Sequence, residues 1–128
     1  MQDQPTSVEL TRSVADFLRS DITPMISGHN AFRLRVAINM LDLVARQLTL
    51  EAESDAAEAA RLAALLGAEG SLLDLNRALA EKIASGEVDL ATPGLSEHLW
   101  QTTMAKLAVD QPNYASYKRE KERGDAGA

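Results

Sequence analysis

The chain has 128 residues, of which 45% are hydrophobic and 4% aromatic, with a net charge of −6 and no cysteine. This length and apolar content suit one globular domain with an aliphatic core and exclude a disordered chain. The acidic balance argues against partners such as nucleic acid or anionic membranes. The absence of cysteine excludes disulfides, thiolate metal sites and cysteine nucleophiles. A polar N-terminus and the lack of long apolar runs predict a cytoplasmic protein without a signal peptide or membrane span.

The N-terminal part of the chain predicts two helices. Thr6 and Glu9 form a capping-box pattern, which starts a first helix over about residues 7–20. Its apolar stripe is expected to face the core and consists of Leu10, Val14, Phe17 and Leu18. Pro24 ends or kinks this helix, and Gly28 marks a break. A long central helix is then expected over residues 29–50.

Capping residues predict the next two helices. Ser54 or Asp55 can cap a third helix that stops at Gly67. Ser71 caps a fourth helix that ends at Gly86.

The remaining chain predicts a fifth main helix and a tail. Thr92 at the cap and Pro93 at the first helical position open this helix, which ends near Asp110. Asn113 can cap a short last helix. The expected fold is all-α: a single-domain bundle of about five main helices around the long central helix, over residues 1–117. A charged, disordered tail is expected over residues 118–128.

The central helix is apolar on nearly every side except for one polar stripe. The stripe is spaced by four, three, four and three residues and consists of Arg35, Asn39, Asp42, Arg46 and Thr49. Two guanidinium groups with an amide between them could bind a carboxylate or phosphate through bidentate hydrogen bonds. The alternative is a solvated edge at which Asp42 pairs with Arg46 and Arg35.

Asn76 is the second polar residue of interest, because it lies inside the apolar arc of the fourth helix. A buried amide needs hydrogen-bond partners, so Asn76 is expected to meet a polar residue of the central helix or a neighbouring backbone carbonyl. That role would be structural, and a place in a binding site is the alternative.

The fifth helix carries two apolar ridges. Trp100 and Met104 lie on one ridge and Leu99 on the other, while Lys106 and Asp110 are one turn apart beside the second. If the ridge with Trp100 and Met104, or the one with Leu99, is exposed, it would indicate a protein interface. A fully internal tryptophan is the alternative.

Catalytic and metal-binding signatures are absent from the sequence. It contains no Gly-rich phosphate loop, no His-Glu-x-x-His and no Gly-x-Ser-x-Gly motif. Neither His29 nor His98 has a further metal ligand at helical spacing, so both are expected to be ordinary surface or helix-end residues. We expect no metal and no cofactor.

Four segments together carry a resemblance to a known family. They are residues 2–6 (QDQPT), residues 32–39 (FRLRVAIN), the pair Leu75-Asn76 and residues 106–114 (KLAVDQPNY). With these, the chain resembles the bacterial domain-of-unknown-function family 6285, over residues 1 to about 117. The resemblance implies a short helical protein that is a neighbour or fusion partner of aminoglycoside-phosphotransferase-like kinases and acyl-CoA dehydrogenases. It draws attention to positions already singled out: Arg35, Asn39, Asn76, Lys106 and Asp110.

Three functions remain open from the sequence. The favoured one is an accessory protein, not an enzyme, that binds a kinase-like or acyl-CoA-metabolising partner through an apolar helix face including Leu99, Trp100 and Met104. The second is a binder of a small anion or acyl-CoA-type ligand, or an enzyme acting on one, with Arg35, Arg46 and Lys106 holding the anion. Asp42 or Asp110 would then be its acid or base. The third is a homodimer without a ligand.

Overall fold

The structure is a computed structural model that describes residues 3–126. Within these residues the chain is all-α, with five α-helices and no β-strand, so the predicted fold class is confirmed. The helices are α1 (Ser7–Phe17), α2 (Gly28–Leu66), α3 (Leu72–Ser85), α4 (Leu95–Asp110) and α5 (Ala115–Ala126). None of the helices in the described range is long and apolar enough to cross a bilayer.

The chain divides into two compact units, with the boundary between Glu51 and Ala52, inside α2. The first unit contains α1 and the N-terminal half of α2, and the second contains the rest of α2 with α3, α4 and α5. The domain limits expected from the sequence, 1–117, remain a prediction. Helix α5 extends to Ala126, through most of the segment that we assigned to a disordered tail. The last two residues of that tail, and Met1 and Gln2, lie outside the described range.

Helix α1 begins with the predicted capping box. The Thr6 hydroxyl accepts a hydrogen bond from the Glu9 backbone N–H, and the Glu9 carboxylate accepts one from the Thr6 backbone N–H at 2.7 Å. The Thr6 hydroxyl also donates to the Glu9 carboxylate at 2.9 Å, and the two hydrogen bonds that this carboxylate accepts from Thr6 lower the pKa of Glu9. After Phe17 the chain continues in a π-helical turn, Leu18–Ile22, and a 3-10 turn, Thr23–Met25. Pro24 therefore stands in a tight turn, as its fixed φ allows.

Few of the described residues in the first unit are buried, and two of the three are alanines. The three are Ala15 on α1 and Ile38 and Ala45 on α2. The predicted inner stripe of α1 was wrong, because Leu10, Val14 and Phe17 are all exposed. Residues 15 and 17 are separated by roughly 200° around the helix axis, so burying the side of Ala15 turns Phe17 outward.

Helix α2 is longer than the sequence analysis predicted. The central helix and the expected third helix are one continuous helix of 39 residues. The segment between them, residues 51–58, contains neither glycine nor proline and is rich in Ala and Glu, which favour helix. Ser54 and Asp55 therefore lie inside a helix, and no cap forms there.

The second unit has a leucine-rich core. Its buried residues are Leu62 of α2, Leu75 and Leu79 of α3, Val88 of the loop after α3 and Leu95 of α4.

Capping explains where α3 and α4 begin. Helix α3 begins after the predicted cap Ser71 and ends at Gly86, which has a positive φ of 78°. Helix α4 begins two residues later than Pro93, because Gly94 with a φ of 89° is its N-cap. The Thr92 hydroxyl instead accepts a hydrogen bond from the Asp89 backbone N–H at 3.0 Å.

Candidate functional site

A polar pair lies beside the leucine core of the second unit. The Asn76 side-chain amide donates to Glu58 Oε1 at 2.8 Å and to the Leu72 carbonyl at 3.1 Å. Asn76 therefore has the nearby backbone carbonyl expected from the sequence, whereas its polar partner Glu58 lies beyond the predicted central helix, in the segment assigned to the third helix. Glu58, which sequence analysis did not single out, is one of two buried polar side chains among the described residues. A buried carboxylate requires hydrogen bonds of this kind.

Arg61 lies one turn after Glu58 on α2 and reaches α4. Its Nη1 donates to Gln101 Oε1 at 3.3 Å and its Nη2 to Thr102 Oγ1 at 3.4 Å. Both bonds are long, and both acceptors are uncharged. Arg61 Nε is buried and has no hydrogen-bond partner among the described residues. Leaving such a donor unpaired costs about 1–3 kcal/mol, so the guanidinium group retains unused binding capacity.

His98 of α4 is the second buried polar side chain, only 3% exposed. Its Nδ1 atom is buried without a partner among the described residues. Burial lowers the pKa of His98, the positive charge of Arg61 lowers it further, and the negative charge of Glu58 opposes both effects. The net direction is downward, so the imidazole is neutral at pH 7. The expectation of an ordinary surface or helix-end histidine was therefore wrong for His98, whereas His29 is exposed.

Arg61 and His98 line the same concave cleft. The cleft has a volume of about 270 Å³ and is lined by Arg61, Ala64, Leu65, Pro93, Gly94, Glu97 and His98. The Glu97 carboxylate also accepts a hydrogen bond from the Gln101 amide. The site thus combines one guanidinium group, one neutral imidazole and one carboxylate with an apolar wall. These groups can bind a small polar ligand by hydrogen bonds, and within residues 3–126 no group of three or more His, Asp or Glu side chains could hold a metal ion.

The polar stripe predicted on the central helix lies in the first unit. Arg35 and Asn39 are exposed, and Asp42 and Arg46 are half-buried. Asp42 Oδ2 accepts a hydrogen bond from Arg19 Nη2 at 2.8 Å. Its carboxylate is thus held by a residue of the π-helical turn that follows α1.

The other candidate binding residues lie in the second unit. Lys106 and Asp110 are exposed on α4, and neither lines the cleft at Arg61. Asn76 is half-buried and reaches the cleft residues only through Glu58, whose charge acts on His98.

Exposed apolar side chains form a row along the first half of α2. They recur at every fourth position, are between 36% and 62% exposed, and comprise Phe32, Val36, Met40, Val44 and Leu48, which we call the α2 row. Met40 follows the buried Ile38 by two residues, which places it roughly 200° away around the helix. The α2 row is therefore centred on the side of the helix opposite Ile38 and turns gradually around the axis, by roughly 40° per step, so this half of α2 is apolar on two sides.

The two apolar ridges predicted on α4 are each exposed in part. Leu99 is 41% exposed, Trp100 is 50% exposed and Met104 is half-buried. The alternative of a fully internal tryptophan is therefore wrong.

Sequence reasoning missed Glu58, Arg61 and His98, although a signal for them exists. His98 follows Leu95 by three residues and so shares the buried face of α4. Glu58 and Arg61 are also three residues apart, on α2, and both lie within about one turn of the buried Leu62. Charged residues recurring on a face that also carries core leucines indicate a buried polar site.

The cleft and the polar pair lie in a region that matches a known family. The family model described as "Domain of unknown function (DUF6285)" matches residues 24–114. The match covers α2, α3 and α4 and includes Glu58, Arg61 and His98. The chain therefore belongs to the DUF6285 family, as its resemblance suggested. Searches of curated proteins and of solved structures found no significant match.

Proposed function

We propose that this DUF6285 protein is an accessory protein that binds another protein through the α2 row. The observation that carries the proposal is the exposure of five large apolar side chains at every fourth position of one helix. Anchors at such spacing are typical of a helix that lies in an apolar groove of a partner. The favoured sequence hypothesis placed the contact on the α4 face with Leu99, Trp100 and Met104. The proposal moves it to the α2 row, because more large apolar side chains are exposed there at a regular spacing.

The packing of the first unit supports this role. Among the residues of that unit from position 3 onward, only Ala15, Ile38 and Ala45 are buried. A helix that is apolar on most sides normally lies inside a bundle, so the first half of α2 lacks cover on its outer side. Contiguous apolar surface is rare on monomers and is characteristic of interaction sites.

The partner proposed is an aminoglycoside-phosphotransferase-like kinase or an acyl-CoA dehydrogenase. This choice rests on the neighbourhood implied by the family resemblance. An accessory role also agrees with the lack of catalytic motifs in the sequence, and the half-exposed Leu99 and Trp100 offer a second surface for the same partner.

The test is co-expression of the full chain with each of these two partners from its own organism, followed by affinity purification and light scattering. Met40→Lys places a charge in the middle of the α2 row and should abolish a stoichiometric complex. Leu73→Lys, at a position that is 68% exposed on α3, is the matched control and should leave the complex intact.

Three results would count against the proposal. One is an isolated chain that is a dimer and that Met40→Lys converts to a monomer, because the row would then be occupied by a second copy. Another is a complex that survives Met40→Lys but is lost with Trp100→Lys, which would move the interface to α4. The third is the absence of a complex with either partner.

A further inference from the structure

We propose that the cleft at Arg61 and His98 is a binding site for a short aliphatic monocarboxylate. This site lies in the second unit and uses none of the residues of the α2 row.

Two buried nitrogen atoms on the cleft residues have no partner among the described residues. They are Nε of Arg61 and Nδ1 of His98, whose side chain is 3% exposed. Arg61 Nε–H can only donate, and the neutral imidazole can donate from Nδ1 in one of its two tautomers. The residues that carry these two atoms, Arg61 and His98, both line the cleft, and unpaired donors on its lining residues favour a ligand with acceptor oxygens.

The N-terminus of α4 adds to the same preference. This helix has 16 residues, and no side chain caps its first turn, because its N-cap is Gly94. Gly94, Glu97 and His98 all line the cleft. The Leu95 N–H donates to the Thr92 carbonyl and the His98 N–H to the Gly94 carbonyl, so the N–H groups of Ser96 and Glu97 and the positive end of the helix dipole are what attract an anion.

The charged side chains around the cleft favour a ligand with a single negative charge. Arg61 is the only cation of the cleft lining, and the Glu97 carboxylate also lines it. The Glu58 carboxylate acts on His98 from α2. A dianion such as phosphate would be repelled by these two carboxylates, whereas a monocarboxylate can use both oxygens on the guanidinium group.

The apolar wall of the cleft indicates the part of the ligand beyond its carboxylate. Ala64, Leu65 and Pro93 supply apolar surface next to the polar groups. The volume of about 270 Å³ is below the usual range for drug-sized ligands, so the cleft suits a chain of a few carbons. Butyrate has both features, one carboxylate and a short alkyl chain.

The experiment is a titration of the labelled full chain with sodium butyrate at pH 7.5, followed by NMR of the histidine side chains. Sodium chloride is added in parallel at equal ionic strength. We expect a saturable shift of the His98 imidazole signals, while those of the exposed His29 do not respond. Shifts that do not saturate, or that sodium chloride reproduces, would overturn the proposal.

Variants test which side chains are responsible. Arg61→Met should weaken butyrate binding at least tenfold, and Arg77→Met, at an exposed arginine of α3, should leave it unchanged. Glu97→Gln removes the negative charge from an exposed side chain and should tighten binding severalfold. Because Arg61 contacts α4, its variant could unfold, in which case Glu97→Gln alone decides. Unchanged binding in Glu97→Gln, or tighter binding of inorganic phosphate than of butyrate, would contradict the charge argument.

Discussion

Asn76 Nδ2 lies 2.8 Å from Glu58 Oε1, so a buried carboxylate of α2 receives its hydrogen bond from an amide of α3. Glu58 is only 8% exposed, and water cannot easily replace a lost donor there. The hydrogen bond between Asn76 and Glu58 is therefore expected to stabilise the second unit.

Removing the amide should be costly. Asn76→Ala is expected to lower the free energy of unfolding by about 1–3 kcal/mol, because Glu58 keeps a buried charge without its partner. Urea denaturation measures this change, and Arg77→Ala at an exposed neighbouring position should change stability by no more than about 0.5 kcal/mol. In a Glu58→Ala background the effect of Asn76→Ala should shrink. An equal loss in both backgrounds would show that the bond does not stabilise the fold.

Leu62 is the most deeply buried large side chain, with 0% exposure. Leu62→Ala should destabilise the protein by about 2–5 kcal/mol, since it removes packing and leaves a cavity. Leu73→Ala makes the same chemical change on the exposed side of α3 and should have little effect. Thermal and urea unfolding of the two variants compare the positions directly, and equal losses would be inconsistent with the described core.

Ser71 caps α3, where its hydroxyl accepts a hydrogen bond from the Asp74 backbone N–H at 3.1 Å. Ser71→Ala should therefore cost about 1 kcal/mol of stability. Ser96→Ala replaces an exposed serine in the first turn of α4, which is not a cap, and serves as the control. A change as large at Ser96 as at Ser71 would argue against capping as the cause.

The buried imidazole of His98 predicts a pH dependence of stability. The folded chain lowers the pKa of His98 below the value of the unfolded chain, about 6.5. Between these two pKa values the unfolded state binds more protons, so stability falls as the pH is lowered through 6.5 and levels off below the folded pKa. Arg61 and Glu58 from α2 and Glu97 from α4 are the charged groups around it.

Unfolding free energies at pH 7.5 and pH 5.5 measure this dependence. His98→Gln should reduce the loss of stability between the two pH values, and His29→Gln, at an exposed position, should not. An undiminished loss in His98→Gln would assign the pH dependence to other groups.

The sequence predicted helix ends correctly at three positions where the capping residue bonds to atoms only a few residues away. Thr6, Ser71 and Gly86 each act through atoms within a few residues, so their roles are independent of tertiary packing. The expected break near Ser54 was wrong, because a residue that can cap a helix also tolerates a helix interior.

Tertiary packing accounts for what sequence reasoning could not predict. The apolar stripe with Leu10 was assigned to the core, but Ala15 faces inward instead, since a small side chain allows close approach of the backbone. Pairing of Asp42 with Arg46 and Arg35 along its own helix was one alternative, whereas its ion pair with Arg19, 23 residues earlier in the chain, was not predicted. Periodicity identifies an apolar or polar face, but the neighbouring element determines which face is covered.

Trp100 is the only tryptophan of the chain and is half-exposed on α4. Its fluorescence therefore comes from a single site, without the averaging that complicates most proteins. The next residue, Gln101, accepts a hydrogen bond from Arg61, which lines the cleft. The indole is therefore one residue away from a contact of the cleft lining. A partner that covers the α4 ridge would shift the emission to shorter wavelength, which gives this protein a built-in optical probe that requires no label.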